Sequence, residues 1–156
     1  MWEIMYTHTI LAANLIRKGG FLVKFYGYKR SDGRIGIRNH VVVMPGVICA
    51  AGVAQKIANK SGVQYLYNPN GCGQSPRDTA ITLEILSGMI ANGNVYGALI
   101  VGLGCETIRK DMYLDAIRKK TDKPVYYISI QEEGGINKTV AKGVEIVKTL
   151  KEVADK

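Results

Sequence analysis

The stretch VYGALIVGLGCE (residues 95–106) places an apolar run directly before two glycines, a cysteine and a glutamate. The β-branched and aromatic residues of Val95–Val101 predict a buried strand, and a helix is predicted to follow over Thr107–Lys119. A turn from strand to helix needs glycine for its geometry, but it needs neither Cys105 nor Glu106. The stretch therefore predicts a strand–loop–helix unit whose loop has a chemical role.

Similar units repeat along the chain at intervals of about thirty residues, which is the pattern of a βαβ series. Such a series predicts an α/β fold of three layers, with a doubly wound, mostly parallel sheet of about four strands, Rossmann- or flavodoxin-like. The other predicted strands are His40–Ile48, Val63–Tyr67 and Pro124–Ile130, and the other predicted helices are Ala50–Asn59, Pro76–Ala91 and one that begins at Ile136. The stripe expected to face the core in the second helix consists of Ile81, Ile85, Leu86 and Met89.

The N-terminal part of the chain does not follow this repeat. Phe21–Asn39 carries β-forming residues on both sides of Ser31-Asp32-Gly33, which predicts a β-hairpin in front of the sheet. Residues 1–20 are interpreted as an N-terminal extension, with a short helix or an upstream segment over Met1–Ile16. Residues 21–156 are then a single α/β domain, as expected for a chain of 156 residues of which 47% are hydrophobic.

The formal net charge of +8 raises the question of nucleic acid. Basic residues are spread along the whole chain without interleaved aromatics, so no nucleic-acid partner is expected. No apolar stretch approaches the ~18 uncharged residues of a membrane span, and Glu3 stands where a signal peptide would be positive, so we expect a cytoplasmic protein. The densest basic segment fits either a solvated hairpin or a small anion site, and it contains Lys29, Arg30, Arg34 and Arg38.

Three cysteines, an odd number without a CxxC pair, argue against a disulfide framework or a zinc ribbon. Cys49, Cys72 and Cys105 each follow the end of a predicted strand, at the edge of a parallel sheet where ligands bind. Any one of them could be a small buried hydrophobic residue. Thiols near helix N-termini have lowered pKa values, so these three are also candidate metal ligands or nucleophiles.

The glycines and acids of the same loops allow more than one interpretation. Gly102-x-Gly104 partly matches a dinucleotide-binding motif, but the third glycine is missing. Glu106 is either a cap for the following helix or an acid/base group, and the same alternatives hold for Glu132 and Glu133.

Four motifs in order then resemble the altronate dehydratase/galactarate dehydratase family, also called altronate hydrolases, to which sulfolactate sulfo-lyase is related. They are FYGYKRSDGRIGIRN (25–39), GCGQ (71–74), GLGCE (102–106) and QEEGG (131–135). The resemblance covers about residues 24–150. It implies a lyase that acts on a sugar acid and requires divalent iron or manganese, with an iron–sulfur cluster as an alternative.

The resemblance also implies partners and residue roles. Family members carry a small N-terminal β-rich domain and a further C-terminal region, so we expect a homo-oligomer or a partner subunit with the missing C-terminal region. Cys72, Cys105 and Cys49 are the predicted metal ligands, and Glu106, Glu132 and Cys72 are the predicted catalytic residues. The predicted substrate-binding residues are Arg34, Arg38, Asn39, Asn70 and Gln74. The alternative functions are a non-catalytic nucleotide- or phosphate-binding module and a structural subunit.

Overall fold

The structure is a computed structural model and describes residues 10–16 and 22–156. An antiparallel sheet of three strands comes first, in the order β1-β2-β3. The Asp32-Gly33 turn joins its last two strands, and Gly33 adopts the left-handed conformation with φ +82°, so the predicted hairpin is confirmed. The strands are β1 (Ile10–Ile16), β2 (Leu22–Lys29) and β3 (Ile35–Gly36).

The prediction of a short N-terminal helix is wrong for the described part of that segment. Ile10–Ile16 is a strand that pairs along its whole length with β2. As a strand, this segment forms backbone hydrogen bonds with β2. As a helix of the same length it would have only its own hydrogen bonds, and such short helices are marginally stable in water. Residues 1–9 and 17–21 lie outside the described residues.

A parallel sheet of four strands forms the centre of the fold, in the order β5-β4-β6-β7. The long strand β6 is buried at every position, as its uninterrupted apolar sequence predicts. It lies between β4, where Val43 pairs with Leu99, and β7, where Ile128 pairs with Val101. The strands are β4 (His40–Pro45), β5 (Gln64–Tyr65), β6 (Val95–Gly102) and β7 (Val125–Ser129).

Helices cover both faces of this sheet, which confirms the predicted three-layer α/β fold. Alternate residues of β4 point to opposite layers, so Val43 joins the core beneath one pair of helices and Met44 joins the core beneath the other. Among the described residues, no helix combines the length and the apolar character of a membrane span. The helices are α1 (Ala51–Ser61) and α4 (Ile136–Ala154) on the first face, and α2 (Pro76–Ala91) and α3 (Lys110–Arg118) on the second.

The predicted inner face of α2 is wrong. Ile81, Ile85 and Met89 are 48%, 56% and 37% exposed, and only Leu86 of the predicted stripe is buried. Periodicity identifies residues that share a face, but packing decides which face is covered, and here the covered face includes hydroxyl side chains. The polar residues buried on α2 are Thr79, Thr82 and Ser87.

Candidate active site at the carboxyl edge

The loops that follow the four parallel strands are joined into one row by backbone hydrogen bonds. Ile48 N–H donates to the Asn70 carbonyl at 2.9 Å, and Thr107 N–H donates to the Gly71 carbonyl at 3.0 Å. Gln131 N–H donates to the Leu103 carbonyl at 3.0 Å, which adds the loop after β7. The carboxyl edge of the sheet is therefore a continuous surface built from all four predicted loops.

All three cysteines lie on this row, and all three are exposed free thiols. Cys49 follows Ile48, Cys72 follows Gly71, and Cys105 precedes Thr107 by two residues, so each thiol is close in sequence to a bond that joins two loops. The alternative that any of them is a small buried core residue is excluded by their exposure.

Glu106 is buried, with 8% of its surface exposed. One carboxylate oxygen, Oε2, accepts a hydrogen bond from Gly104 N–H at 2.6 Å, and Oε1 accepts a bond from the Tyr127 hydroxyl. Burial alone would raise the pKa of Glu106, but these hydrogen bonds outweigh it and the pKa falls below its ordinary value. Glu106 is therefore ionised, and its two hydrogen bonds hold its own loop against β7.

The two glycines of GLGCE leave room for these hydrogen bonds. A Cβ atom at Gly102 would lie 2.0 Å from the Tyr127 hydroxyl oxygen and 2.2 Å from Glu106 Oε1, so a side chain there would displace this hydrogen-bonded pair. Gly104 has a φ of +122°, a conformation that side chains disfavour. Its N–H, which a phosphate-binding loop would offer to a ligand, is occupied by the Glu106 carboxylate.

The other two candidate acids differ from Glu106. Glu133 forms an ion pair with Lys142 at 2.6 Å. Glu132 is exposed and lines a cleft of about 700 Å³ that also contains Cys105 and Glu106. Glu132 is thus the predicted acid with free access to a ligand in this cleft.

Sequence reasoning missed several residues of the cleft wall. Tyr127 was hidden because its contact with Glu106 spans 21 positions of the chain. Arg109, which directly follows GLGCETI, could have been noticed as the first basic residue after the loop; its guanidinium group pairs with Asp111 at 3.0 Å. The cleft is also lined by Lys110, Leu114, Asp115, Arg118 and Ser129.

The GCGQ loop is held in place by the glutamine of the motif itself, Gln74. Gln74 Oε1 accepts from Gly71 N–H at 3.2 Å and its Nε2 donates to Thr82 Oγ1 at 2.8 Å, so Gln74 supports the loop that carries Cys72. Asn70 is exposed beside it. Buried Asn68, which was not predicted, donates to the Pro45 carbonyl at 3.1 Å and ties this loop to the end of β4.

Three of the predicted substrate-binding residues, Arg34, Arg38 and Asn39, lie at the opposite edge of the sheet. Arg34 donates to the Ala91 carbonyl at the end of α2, and Asn39 Nδ2 donates to the Ala154 carbonyl at the end of α4, at 2.7 Å. Arg38 N–H donates to Asn94 Oδ1 at 3.2 Å, just before β6 begins. Strand β4 of six residues separates the two edges by about 20 Å, so one chain does not bring these residues to the thiols.

Comparison with known proteins adds a second line of support. Residues 27–155 match the profile of the family "D-galactarate dehydratase/Altronate hydrolase, second domain". The chain belongs to this family. The family resemblance predicted from the four motifs is thereby confirmed.

Three relatives show how much of a family member the chain represents. It is 30% identical to the altronate dehydratase of Bacillus subtilis (strain 168) over 83% of this chain and 28% of that protein. It is 26% identical to the altronate dehydratase of Escherichia coli (strain K12) over 68% of this chain and 24% of that protein. It is 35% identical to the (2R)-sulfolactate sulfo-lyase subunit beta of Chromohalobacter salexigens over 72% of this chain and 28% of that protein. This dehydratase-family chain therefore spans about a quarter of the curated relatives it matches, and no solved structure matches it.

The family resemblance implies iron or manganese, and the structure allows a test of that fit. Within residues 10–16 and 22–156, no group of three or more His, Cys, Asp or Glu side chains is arranged to hold a metal ion. The three thiols are suitable soft donors on a shared surface, but they do not converge. Residues 10–16 and 22–156 therefore hold the candidate donors on one edge without a preformed group of three.

Proposed function

We propose that this chain is the module of a sugar-acid dehydratase that supplies the carboxyl-edge wall of the active site, acting on a hydroxylated carboxylate such as altronate or galactarate. The observation that carries the proposal is the bond between the GCGQ and GLGCE loops, Thr107 N–H to the Gly71 carbonyl, in a chain of this family. That bond sets Cys72 and Cys105 on adjoining segments of one exposed surface.

The reaction sets the requirements of the site. Dehydration of a sugar acid breaks the C–H bond next to the carboxylate and the C–O bond on the neighbouring carbon, and water is released as the carbon–carbon double bond forms. A general base must take the first proton and a general acid must protonate the departing hydroxyl. Both groups must be within hydrogen-bond reach of the substrate.

The two predicted acids are proposed to have different roles. Glu132 is exposed in the cleft beside Cys105, so its carboxylate can reach a substrate proton. Glu106 has a bond at each of its oxygens, so it holds the loop instead of moving a proton. We assign proton transfer to Glu132 and the positioning of Cys105 to Glu106.

The thiols are proposed to contribute to a metal site that is completed from outside this chain. Cys72 and Cys105, with Cys49 beside them, would supply soft donors, and divalent iron or manganese would supply charge stabilisation for the substrate carboxylate. Anaerobic metal and sulfide analysis of the purified chain tests this. Metal-free protein agrees with a shared site, whereas stoichiometric iron that is lost in Cys72→Ser would contradict it, because the chain would then complete the site alone.

A partner polypeptide equivalent to the rest of a family member, or another copy of the chain, is proposed to cover this edge. Large apolar side chains are exposed in or next to the loops of this edge and could contact such a partner. They are Ile48, Tyr67 and Ile136, at 39%, 60% and 55% exposure. Arg34, Arg38 and Asn39 could contact a substrate at the thiols only from another chain.

The function is tested by calorimetric titration of the purified chain with galactarate and altronate, with a nucleotide as the competing ligand. We expect sugar acids to bind and Glu132→Gln to weaken that binding. The matched control is Glu145→Gln, an exposed glutamate on α4 away from the cleft. Binding of the nucleotide alone would favour the phosphate-binding alternative, although the occupied Gly104 N–H and the adjacent Glu106 carboxylate oppose a phosphate there.

A further inference from the structure

Helix α2 carries apolar side chains on both of its faces. Its outer face presents Ile81, Ile85 and Met89 to solvent, whereas its inner face buries two threonines and a serine together with Leu86, Ile90 and Ala91. One of these, Thr79, has a buried hydroxyl that finds no hydrogen-bond partner among the described residues. A helix gains no stability from exposing isoleucines while it buries hydroxyl groups, so the outer face is the kind of surface that another molecule covers.

The outer face is also symmetric in sequence. Ile85 lies at its centre, with Ile81 four residues before it and Met89 four residues after it. Asp78 and Asn92 stand seven residues away on either side, two helical turns from the centre and on the same line. A twofold axis through Ile85 would therefore bring equivalent positions of two antiparallel helices together.

The polar ends of this line are complementary to each other. The Asp78 carboxylate accepts the Ser75 hydroxyl at Oδ2, at 2.8 Å, and Oδ1 has no partner in the described part of the chain. Asn92 is exposed, its Oδ1 accepts Asn94 N–H at 2.9 Å, and its Nδ2 likewise donates to no group in that part. Across the twofold axis, Asn92 Nδ2 of one chain would donate to Asp78 Oδ1 of the other, twice per pair.

We infer that the outer face of α2 is a homodimer interface, in which a second copy of this chain packs antiparallel with Ile85 on the twofold axis. The covering molecule is a second copy of the chain because an acceptor, Asp78, and a donor, Asn92, lie at equal distances on either side of Ile85. An unrelated partner would not require this equal spacing. Gly88 supports close approach, because a Cβ atom at this exposed position would find no atom nearer than Lys120 Nζ at 4.0 Å.

The expected strength follows from size and charge. Helix α2 has 16 residues and is about 24 Å long, so a pair of such helices is a small interface. The net charge of +8 on each chain opposes association at low salt. We therefore expect a reversible monomer–dimer equilibrium in the micromolar range at physiological salt.

Sedimentation velocity of the whole chain over micromolar to millimolar concentration tests the inference. The wild type should dimerise reversibly, and Ile85→Glu should remain monomeric with an unchanged circular dichroism spectrum, because this side chain is exposed. The matched control is Tyr126→Glu, a large side chain on β7 that is 46% exposed, which should dimerise as the wild type does.

A charge swap makes the test specific to the twofold geometry. Asn92→Asp keeps the acceptor for Asn94 N–H but places it against Asp78 of the other chain, so dimerisation should weaken about tenfold or more. The double variant Asp78→Asn with Asn92→Asp restores a donor opposite an acceptor and should recover dimerisation. A monomeric wild type, a dimer that survives Ile85→Glu, or a swap without rescue would each overturn the inference. The proposed function rests on the other end of the strands and would be unaffected.

Discussion

The two edges of the parallel sheet use polar residues in opposite ways. At the carboxyl edge, thiols and Glu132 are exposed and one buried carboxylate holds the loops. At the amino edge, cations are directed at the last carbonyls of α2, where the helix dipole favours positive charge. Arg30 Nε donates to the Gly93 carbonyl at 2.8 Å and Lys123 Nζ donates to the Ala91 carbonyl at 3.1 Å.

This difference shows that the residues of the family motifs do not all lie at one edge of the sheet. Arg34 of the hairpin motif donates to Ala91, so its first role is to attach the hairpin to the rest of the domain. Burial and the neighbouring Arg30 and Arg34 lower the pKa of Lys123 to about 8. The carboxyl edge is the place where reactive groups remain available.

The largest expected effect is at the amino edge, in Gly36→Ala. A Cβ atom there would lie 2.0 Å from the Gly93 carbonyl oxygen, and backbone cannot yield as a side chain can. We expect a loss of about 3 kcal/mol in the free energy of unfolding, measured by urea denaturation. Gly52→Ala is the matched control, since its Cβ atom meets nothing within 4 Å and should stabilise α1 by about 0.5 kcal/mol. Equal stability of the two variants would show that the hairpin is not held against Gly93.

Glu106→Ala should have the largest effect at the carboxyl edge. It leaves the Tyr127 hydroxyl and Gly104 N–H without their acceptor, so we expect a loss of about 2 kcal/mol in the free energy of unfolding. Glu132→Ala, in an exposed position, should change stability by less than about 0.5 kcal/mol. If Glu132→Ala were the more destabilising of the two, the structural role assigned to Glu106 and the proton-transfer role assigned to Glu132 would have to be exchanged.

Arg34→Met tests directly whether the two edges have different roles. It removes a hydrogen bond to a helix-end carbonyl, so we expect a loss of about 1 kcal/mol in the free energy of unfolding and unchanged affinity for galactarate. Calorimetry measures the affinity and urea denaturation measures the stability. A loss of galactarate binding with intact stability would instead support the substrate-binding role predicted for Arg34 from the sequence.

The smallest expected effect is the pH dependence that Glu106 confers. Its pKa is lower in the folded chain than the ordinary value of 4.5, so its stabilisation is fully present above about pH 4.5 and is lost as the pH falls through the folded pKa. The stability advantage of the wild type over Glu106→Gln should therefore shrink on acidification from pH 6 to pH 3, as thermal unfolding at each pH would show. An advantage that grew in acid would mean that Glu106 is protonated in the folded protein.

Much of the fold could be predicted because local signals were strong. Helix α2 begins and ends at the predicted residues, since Ser75 accepts Asp78 N–H at 3.2 Å as its N-cap and Pro76 occupies the first turn. The buried strand β6 was evident from its unbroken apolar run. What could not be predicted was which face of α2 is covered, because that depends on neighbours distant in sequence.

The candidate site was predictable in its loops but not in its contacts. Cys49, Cys72 and Cys105 could be assigned to one edge because each follows the end of a strand in a parallel sheet. The bond from Tyr127 to Glu106 depends on how β7 lies beside β6, which single-sequence patterns do not specify. The position of Arg38 and Asn39 was within reach of the sequence, since residues directly before the first parallel strand must lie at the amino edge.

The most direct test of the central claim is an amide chemical-shift titration of the labelled chain with galactarate. The carboxyl-edge account predicts shifts in Gly71–Gln74, Gly102–Glu106 and Glu132, with none in Arg34–Asn39. Shifts confined to Arg34–Asn39, or no response to galactarate at any amide, would contradict it.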